Sequence, residues 1–372
     1  KGIGEETARD VFSRLRAFAA YGFCKAHAAS FAKIAYQTAY LKAHYPAEFL
    51  AGILCNEPMG FYPANVILEE SRRLGIEVLG VDVNHSRRKF HVEGGGIRIG
   101  LMQVKGISSA EIDSILLARE DREFGSLSDF CVRTRVDRPT IENLINCGAF
   151  DFLGHRRGKL MWALGEIVGT GVRGKATGKP RPEVDGQMEL STDPDSMSVD
   201  PIASLPDVPE LPPHARVRID YEILGMSPLC HPMVFYRRTL AKMGILRSTR
   251  IRQMPRGSVA KAAGVVVTCM RPPTRSGVIV VFITLEDETG LVDVVVFPKV
   301  YEQYGPMIFN SPGLIVEGKI EKSGQRGFSL IARRIWPIAP EHRNQDVTGP
   351  AERFTERKRS AGQRSWTKGQ GV

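Results

Sequence analysis

The sequence lacks the features that mark secreted, zinc-binding and membrane proteins. Its six cysteines are far apart, no CxxC pair occurs, and the eight histidines show no metal-ligand spacing. This pattern argues against a disulfide framework and against a zinc site. No apolar run approaches the ~20 residues of a membrane span, and the first residues do not resemble a signal peptide. We therefore expect a cytoplasmic chain whose thiols are reduced.

Acidic residues are also missing from one long segment. Between Ile223 and Leu285 there is no Asp or Glu, although the net charge of the whole chain is only +10. Ten cations lie in this segment: Arg237, Arg238, Lys242, Arg247, Arg250, Arg252, Arg256, Lys261, Arg271 and Arg275. They form either a solvated basic face or a surface for a polyanion. We favour a phosphate backbone, because the run leads into a nucleic-acid-type barrel pattern described below.

The length of the chain allows several folded units. Its 372 residues are enough for two or three domains, and a hydrophobic content of 42% can fill real cores. The sequence starts with Lys1-Gly2-Ile3 rather than with methionine. We therefore expect a piece of a longer protein.

One short stretch near the start combines residue types that suit an anion. Lys25, His27 and Ser30 lie among aromatic residues, just before an alanine-rich run of helical period. Free backbone N–H groups and the dipole at a helix N-terminus favour a phosphate there. Small residues among aromatics at helical spacing also occur where helices simply pack tightly. The residues alone leave both interpretations open.

The order of residues in this stretch resembles that of a known protein family. The runs Tyr21-Gly22-Phe23-Cys24-Lys25-Ala26-His27-Ala28 and Lys42-Ala43-His44-Tyr45-Pro46 resemble the fingers region of the C-family bacterial DNA polymerases. This family comprises the replicative DNA polymerase III alpha subunit and its error-prone paralogue. Cys24 stands where the replicative enzymes have asparagine, and in this it resembles the error-prone branch. The resemblance implies that Lys25, His27 and Ser30 face the phosphates of an incoming deoxynucleoside triphosphate.

The next hundred residues predict helices around a small β-structure. Pro46 suits the first position of a helix, and a further helix over Pro63–Leu74 is closed by Gly75. Alternation predicts a strand over residues 76–84, and a hairpin joins residues 90–92 to 97–99 across a glycine turn. A similar strand and hairpin occur in the polymerase family.

Residues 101–112 match a helix-hairpin-helix. A tight turn at Gly106 would expose successive backbone N–H groups at the start of the second helix to one DNA phosphate, without contacts to the bases, and we expect Gly106, Ile107 and Ser108 to lie at this contact. The side chains of Lys105 and Ser108 would add contacts. A plain pair of antiparallel helices explains the same pattern, because only one hairpin glycine is present.

Residues 169–216 are rich in Pro, Gly, Ser and Asp and predict a linker. Within it, Gln187, Met188 and Leu190 resemble the peptide by which the replicative polymerases bind the sliding clamp. Ser191 replaces the usual terminal phenylalanine, so the largest apolar anchor is missing. We expect clamp binding here to be weak or absent, and an ordinary linker is the alternative.

The last folded region predicts a five-stranded oligonucleotide-binding (OB) barrel. The candidate strands are residues 262–270, 278–285, 291–297, 313–322 and 328–335, with a short helix from Pro298 to Tyr304. In this fold the second and third strands form the platform for single-stranded nucleic acid. The stacking candidates are Phe282, Phe297 and Phe328, and the phosphate candidates are Arg250, Arg252, Arg275, Lys299, Arg326, Arg333 and Arg334. Alternation does not tell which of the aromatic rings face the core.

Together these patterns predict an α+β multidomain chain with a helical fingers segment, a helix-hairpin-helix domain and an all-β OB-fold barrel. The expected divisions are fingers (1–96), helix-hairpin-helix domain (97–168), linker (169–216), basic bridge (217–257), barrel (258–338) and disordered basic tail (339–372). The resemblance implies a DNA-directed DNA polymerase that acts on a primer-template and a single-stranded template. Sliding clamp and other accessory proteins are its implied partners.

Two Mg²⁺ ions in that polymerase would be held by palm carboxylates. No acidic trio in a strand context occurs in this sequence, so we expect the chain to bind DNA and nucleotide without catalysing. A standalone nucleic-acid-binding adaptor is the first alternative, and an accessory region of a nuclease or ligase is the second.

Overall fold

A computed structural model describes residues 4–20, 25–58, 60, 62–169, 205–206, 208–272, 279–323 and 327–343. Its helices are α1 (Glu5–Ala20), α2 (Lys25–His44), α3 (Pro46–Leu54), α4 (Ala64–Arg73), α5 (Ser109–Asp121), α6 (Leu127–Arg133), α7 (Arg138–Asn146), α8 (Arg157–Gly169), α9 (Pro213–Leu224), α10 (Arg237–Lys242), α11 (Ser248–Gln253) and α12 (Pro298–Asn310). Its strands are β1 (Val78–Leu79), β2 (His91–Glu93), β3 (Gly96–Arg98), β4 (Val259–Met270), β5 (Val281–Asp287), β6 (Gly290–Val296), β7 (Gly313–Ser323) and β8 (Gly327–Pro337). The order of helices first and barrel last confirms the α+β fold class.

Helix α2 buries none of its side chains within the described part of the chain. The apolar stripe that its spacing predicts is present, but Phe31 and Ile34 are both more than half exposed. Lys42 of this helix pairs with Glu70 of α4 across 3.0 Å between Nζ and Oε1. Among the described residues, nothing covers this apolar stripe, so the structure does not support the interpretation that the segment serves tight helix packing.

A single apolar core holds the helical region together. It runs from Ala47 on α3 to Met226 beyond α9, and its largest fully buried side chains include Phe124, Phe130 and Phe150. The three phenylalanine rings meet edge to face, with centroids 5.0 Å apart in each successive pair. The predicted domain boundary between residues 96 and 97 falls inside β3 and inside this core. No separation of the chain occurs there.

Glycines explain two of the predicted turns in this region. Gly75 follows α4 with φ +81°, and Gly94 and Gly95 connect β2 to β3 with positive φ. The predicted strand over 76–84 is wrong in length, because only Val78 and Leu79 pair with β3, in parallel. Beyond them the chain turns, and the Asp82 carboxylate accepts from the backbone N–H of Asn84.

The barrel is closed, with the strand order β4-β5-β6-β8-β7 and a pairing of β4 with β7. Four of its neighbouring pairs are antiparallel, and β6 with β8 is parallel. Alternate residues Val281, Ile283 and Leu285 point into a core that α11 enters through Ile251. Helix α12 connects β6 to β7 as predicted, although it extends to Asn310. The five-stranded barrel confirms the prediction for this region.

A buried ionic junction joins the helical region to the barrel. Arg73 on α4 donates from Nη1 to Oε1 of Glu286 on β5 at 3.1 Å, and the carboxylate is almost fully buried. Asp287, the next residue, accepts from the backbone N–H and the hydroxyl of Ser248 at 2.8 Å each. Arg237 donates to Asp287 and to Glu288. Hydrogen bonds therefore connect the end of β5 to helix α4 and to Arg237 and Ser248 of the acid-free segment.

Within the described residues, no helix combines the length and the apolar character needed to cross a membrane.

Candidate nucleic-acid interface

The hairpin before α5 is built by a capping box. Ser108 is the N-cap; its Oγ accepts from the Glu111 N–H at 3.2 Å, and its own N–H donates to Glu111 Oε2 at 2.7 Å. Burial alone would raise the pKa of Glu111. Donors from Ser108, Asp137 and Thr140 outweigh that effect and lower the pKa, so the carboxylate that closes the cap stays charged. Gly106 makes the preceding turn with φ +85°.

The capping box changes which groups are free to hold a phosphate. The N–H of Ser108 and its hydroxyl proton both go to Glu111, and the N–H of Ile107 donates to the carbonyl of Val104. Among the predicted DNA contacts, Ile107 and Ser108 therefore have donors that are already used inside the protein. This is the ordinary outcome for the N-cap residue of a helix.

Other donors stand at the same place. The backbone N–H groups of Gly106, Ser109 and Ala110 have no acceptor among the described residues, and all three residues are exposed. Ser109 and Ala110 are the first two residues of α5, where helix N–H groups have no carbonyl partner within the helix. Lys105 is exposed beside them and forms no ion pair with any described residue, while its carbonyl is held by the Asn143 amide. The turn thus offers three N–H groups and one ammonium within residues 105–110.

The outer face of the barrel carries an apolar row across four strands. Strand register aligns Met270 with Phe282, Phe282 with Val295, and Val295 with Ile331. The neighbours of Phe282 on β5 point inward, so the row lies on the outside. Phe282 is 42% exposed, and Phe297, just after β6, is 46% exposed. We call these five residues the apolar platform.

Phe328 is not part of this platform. It is only 9% exposed and belongs to the barrel core, and the guanidinium of Arg252 lies 4.9 Å from the centre of its ring. Of the two interpretations left open for Phe328, packing in the core therefore describes its position. The sequence did indicate which positions of β5 point inward and which outward. Phe282 alternates with apolar residues and shares its face of the strand with the polar residues Thr284 and Glu286. The sequence did not identify Met270, Val295 or Ile331.

Four of the ten cations in the acid-free segment have acidic partners from outside it. Arg237 and Arg247 pair with Glu288, Arg256 pairs with Glu321, and Lys261 pairs with Glu317. The interpretation of the ten charges as uncompensated is therefore wrong for these four. The partners were not visible locally, because they lie on β7 and in the turn after β5.

Arg250 and Arg252 on α11 are exposed and have no acidic partner among the described residues. Lys299 is exposed in the first turn of α12, and Arg333 and Arg334 are exposed on β8. Arg275, Arg326 and the predicted clamp peptide with Gln187, Met188 and Leu190 lie outside the described residues. The available positive charge of the barrel is thus concentrated on fewer side chains than the sequence suggested.

The three predicted triphosphate contacts lie within the first two turns of α2. Lys25 is the first residue of the helix, His27 is in the same turn, and Ser30 follows His27 by three positions, on the same face. The ring of His27 contacts Phe31 with a centroid distance of 4.6 Å. Lys25, His27 and Ser30 are all exposed. Tyr21 to Cys24, which carry half of the motif, lie outside the described residues.

Comparison with known proteins agrees with both folded units. The family model described as a helix-hairpin-helix motif matches residues 75–160, and one described as an OB-fold nucleic acid binding domain matches residues 260–338. An error-prone DNA polymerase of Symbiobacterium thermophilum is 37% identical over 359 residues, which cover 87% of this chain and 32% of the relative. This chain belongs to the C-family of bacterial DNA polymerases. It combines a helix-hairpin-helix region with an OB-fold barrel.

Further relatives of this C-family chain are also error-prone DNA polymerases. Error-prone DNA polymerases of Anaeromyxobacter sp. and Bdellovibrio bacteriovorus are 33% and 34% identical, and each match covers 91% of the chain. The chain spans about a third of the length of these curated relatives, with shares of 29% and 32%. Among solved structures, asparaginyl-tRNA synthetase from Pyrococcus horikoshii covers 25% of the chain and 23% of its own at 22% identity. Its TM-score is 0.22.

The magnesium ions implied by the family do not fit the described residues. No group of three His, Cys, Asp or Glu side chains in the described ranges is placed to hold a metal ion.

Proposed function

We propose that this chain is the DNA-holding part of an error-prone DNA polymerase. In this proposal the turn before α5 holds the backbone of duplex primer-template, and the barrel holds the single-stranded template ahead of it. The observation that carries it is a pair of separate surfaces: N–H groups at the α5 turn that have no acceptor among the described residues, and exposed rings on the barrel near arginines that have no acidic partner there. Backbone N–H groups suit phosphates, and exposed rings suit unpaired bases.

Lys25, His27 and Ser30 are proposed to contact the phosphates of the incoming deoxynucleoside triphosphate. Their exposed positions in the first turns of α2 support this role, because a helix N-terminus favours negative charge.

The parent polymerase would perform nucleotidyl transfer in DNA replication or damage-tolerant synthesis, with Mg²⁺ held by residues other than those described. Two observations favour the error-prone branch: the relatives are error-prone DNA polymerases, and Cys24 resembles the residue of that branch. A weak contact of Gln187, Met188 and Leu190 with the sliding clamp stays a proposal.

Removing one N–H from α5 tests the duplex site. Proline at Ser109 lacks the donor but fits the first helical position, and Ser108 already has φ −88° and ψ 159°, as a residue before proline requires. Because a hydrogen bond to a charged group contributes about 1.5–3 kcal/mol, we expect Ser109→Pro to weaken binding of a 20-base-pair duplex by about tenfold or more. Fluorescence anisotropy measures the change.

The matched control for this variant is Ser109→Ala, which removes the hydroxyl and keeps the N–H. It should bind duplex DNA like the unchanged chain, and both variants should keep their affinity for single-stranded DNA. Equal affinity of Ser109→Pro and Ser109→Ala for the duplex would contradict a phosphate site at this turn.

Replacing the central ring of the apolar platform tests the barrel. Stacking of a base on an aromatic side chain is worth about 1–3 kcal/mol, so Phe282→Ala should weaken binding of a 12-nucleotide oligo(dT) by about 5- to 100-fold. Phe309→Ala is the control, because Phe309 is 51% exposed but lies in the last turn of α12. Duplex affinity should stay unchanged in both variants. A similar loss with Phe309→Ala, or an equal loss on duplex DNA, would remove the platform from the proposal.

A further inference from the structure

A polar row runs beside the apolar platform on the outer face of the barrel. Register aligns Thr268 with Thr284, Thr284 with Asp293, and Asp293 with Ser329. These positions lie two residues along each strand from Met270, Phe282, Val295 and Ile331, and therefore on the same face. A base stacked on Phe282 would have this row at its edge, since diagonal neighbours in a sheet are only about 7–8 Å apart.

Asp293 is unusual in this position, because it places a carboxylate on a face that is proposed to bind a polyanion. It is exposed, and no Lys, Arg or His among the described residues pairs with it. A carboxylate repels phosphate, so its presence favours a strand that turns its bases, and not its backbone, toward the row. An ionised carboxylate accepts hydrogen bonds and cannot donate them.

Thr284 fixes the direction of this carboxylate. Its Oγ1 donates to Asp293 Oδ1 at 2.8 Å, and Thr284 itself is nearly buried. Oδ2 and the remaining lone pairs of Oδ1 stay open for a ligand. The pair is thus an oriented acceptor with two oxygens, beside a ring on which a base can stack.

Guanine matches this acceptor better than the other bases. Its Watson–Crick edge presents two adjacent donors, N1–H and the N2 amino group, which can reach the two carboxylate oxygens together. Thymine offers a single N–H flanked by two carbonyl oxygens, and these would face the carboxylate unfavourably. Single-stranded nucleic acid exposes these edges, whereas in a duplex they are paired.

We propose that Asp293, oriented by Thr284, selects guanine in the single-stranded strand that lies on the apolar platform. The inference rests on the proposed single-strand binding by the barrel and deepens it, because it gives that site a base preference. Asp293 contacts the base in this proposal, and Thr284 is a positioning residue.

The test compares two 12-nucleotide oligonucleotides on the full chain by fluorescence anisotropy: oligo(dT), and alternating thymine and guanine. A bidentate contact discriminates between bases by about 1–3 kcal/mol, so we expect the guanine-containing strand to bind at least about fivefold more tightly. Asp293→Asn should remove this preference while binding of oligo(dT) is unchanged or stronger. Thr284→Val should reduce the preference without weakening oligo(dT) binding.

The control variant is Glu302→Gln, which removes one exposed negative charge from α12. It should shift both affinities by the same factor. The proposal is overturned if the unchanged chain binds both strands equally, or if Asp293→Asn strengthens both by the same factor, as simple removal of charge would. If neither strand binds, or if Phe282→Ala has no effect on oligo(dT), the barrel does not hold single strands and the proposed function itself fails.

Discussion

At pH 8, where the Glu286 carboxylate is charged, Arg73→Ala is expected to lower the free energy of unfolding by about 3–5 kcal/mol, because it leaves this buried carboxylate without its cation. The Glu286 side chain is 1% exposed and that of Arg73 is 18% exposed. The second carboxylate oxygen of Glu286, Oε2, has no hydrogen-bond partner among the described residues, and Nε2 of His231 is 3.8 Å from it. Urea titration of the full chain measures the loss.

Arg138→Ala serves as the control for this prediction. Arg138 and Glu142 form an exposed pair on one helix, and such pairs contribute about 0–1 kcal/mol. A loss at Arg73 no larger than the loss at Arg138 would mean that the ionic junction does not hold the barrel to α4.

The same junction gives the stability a dependence on pH. Burial raises the pKa of Glu286 to about 7, against the opposing effect of Arg73. The unfolded chain has the ordinary pKa of about 4.5, so the stability from this group is complete below that value and is lost as pH rises through about 7. Burial of His231 holds its pKa down at about 3. Below about pH 6.5 this histidine therefore makes the folded chain less stable as pH falls, which is opposite to the effect of Glu286. The window that reports on Glu286 is therefore pH 6.5–8.

In this window the unchanged chain should become more stable as pH falls, and Glu286→Gln should show a smaller rise. Asp220, whose pKa burial raises to about 6, contributes a smaller rise of the same sign and is present in both proteins. The comparison therefore isolates Glu286. Identical pH profiles for the two proteins would contradict a carboxylate that titrates in the junction.

The second large effect is the loss of affinity for single-stranded DNA that we expect when the salt concentration is raised. Each phosphate contact on a single strand contributes about 0.7 to the slope of log affinity against log salt, so about four contacts give a slope near −3. Binding of oligo(dT) should then weaken by on the order of a hundredfold for a fivefold rise in salt. Reversing Arg250 and Arg252 together to Glu should flatten the slope by more than one unit, because both are exposed and neither has an acidic partner in the described structure.

The control reverses two cations that already have acidic partners, Arg256 with Glu321 and Lys261 with Glu317. Their charges are partly neutralised within the protein, so the same number of reversed charges should change the slope less. A slope that the Arg250 and Arg252 reversal leaves unmoved would mean that α11 does not touch the strand.

Local patterns predicted most of the fold. Proline at the start of α3 and glycine after α4 mark helix ends through backbone geometry that belongs to single residues. The five strands and the helix of the barrel followed from alternation and turns in the same way. What local patterns could not supply is the length of β1, because only pairing with β3, nearly twenty residues later, decides where that strand ends.

The candidate sites were predicted less completely, for the same reason. The turn at Gly106 was identified, but whether the Ser108 donors are free depends on Glu111 closing the cap. Polar residues on the same face of β5 indicated that Phe282 points outward, but the core position of Phe328 became clear only from the closed barrel. The acidic partner of Arg237 lies about fifty positions away, so the composition of the acid-free segment overstated its free charge.

The contact between Arg73 and Glu286 joins residues 213 positions apart. The barrel closes through far shorter loops, as in the pairing of Val259 with Lys319, so it can form before this contact does. The entropic cost of closing a long loop grows only with the logarithm of the loop length. No favourable contact offsets this cost until both cores have formed and placed the two side chains next to each other. We therefore expect the junction to be absent from the transition state for folding. Changes at the junction should accelerate unfolding and leave the folding rate nearly unaltered, which makes it a determinant of the lifetime of the native state.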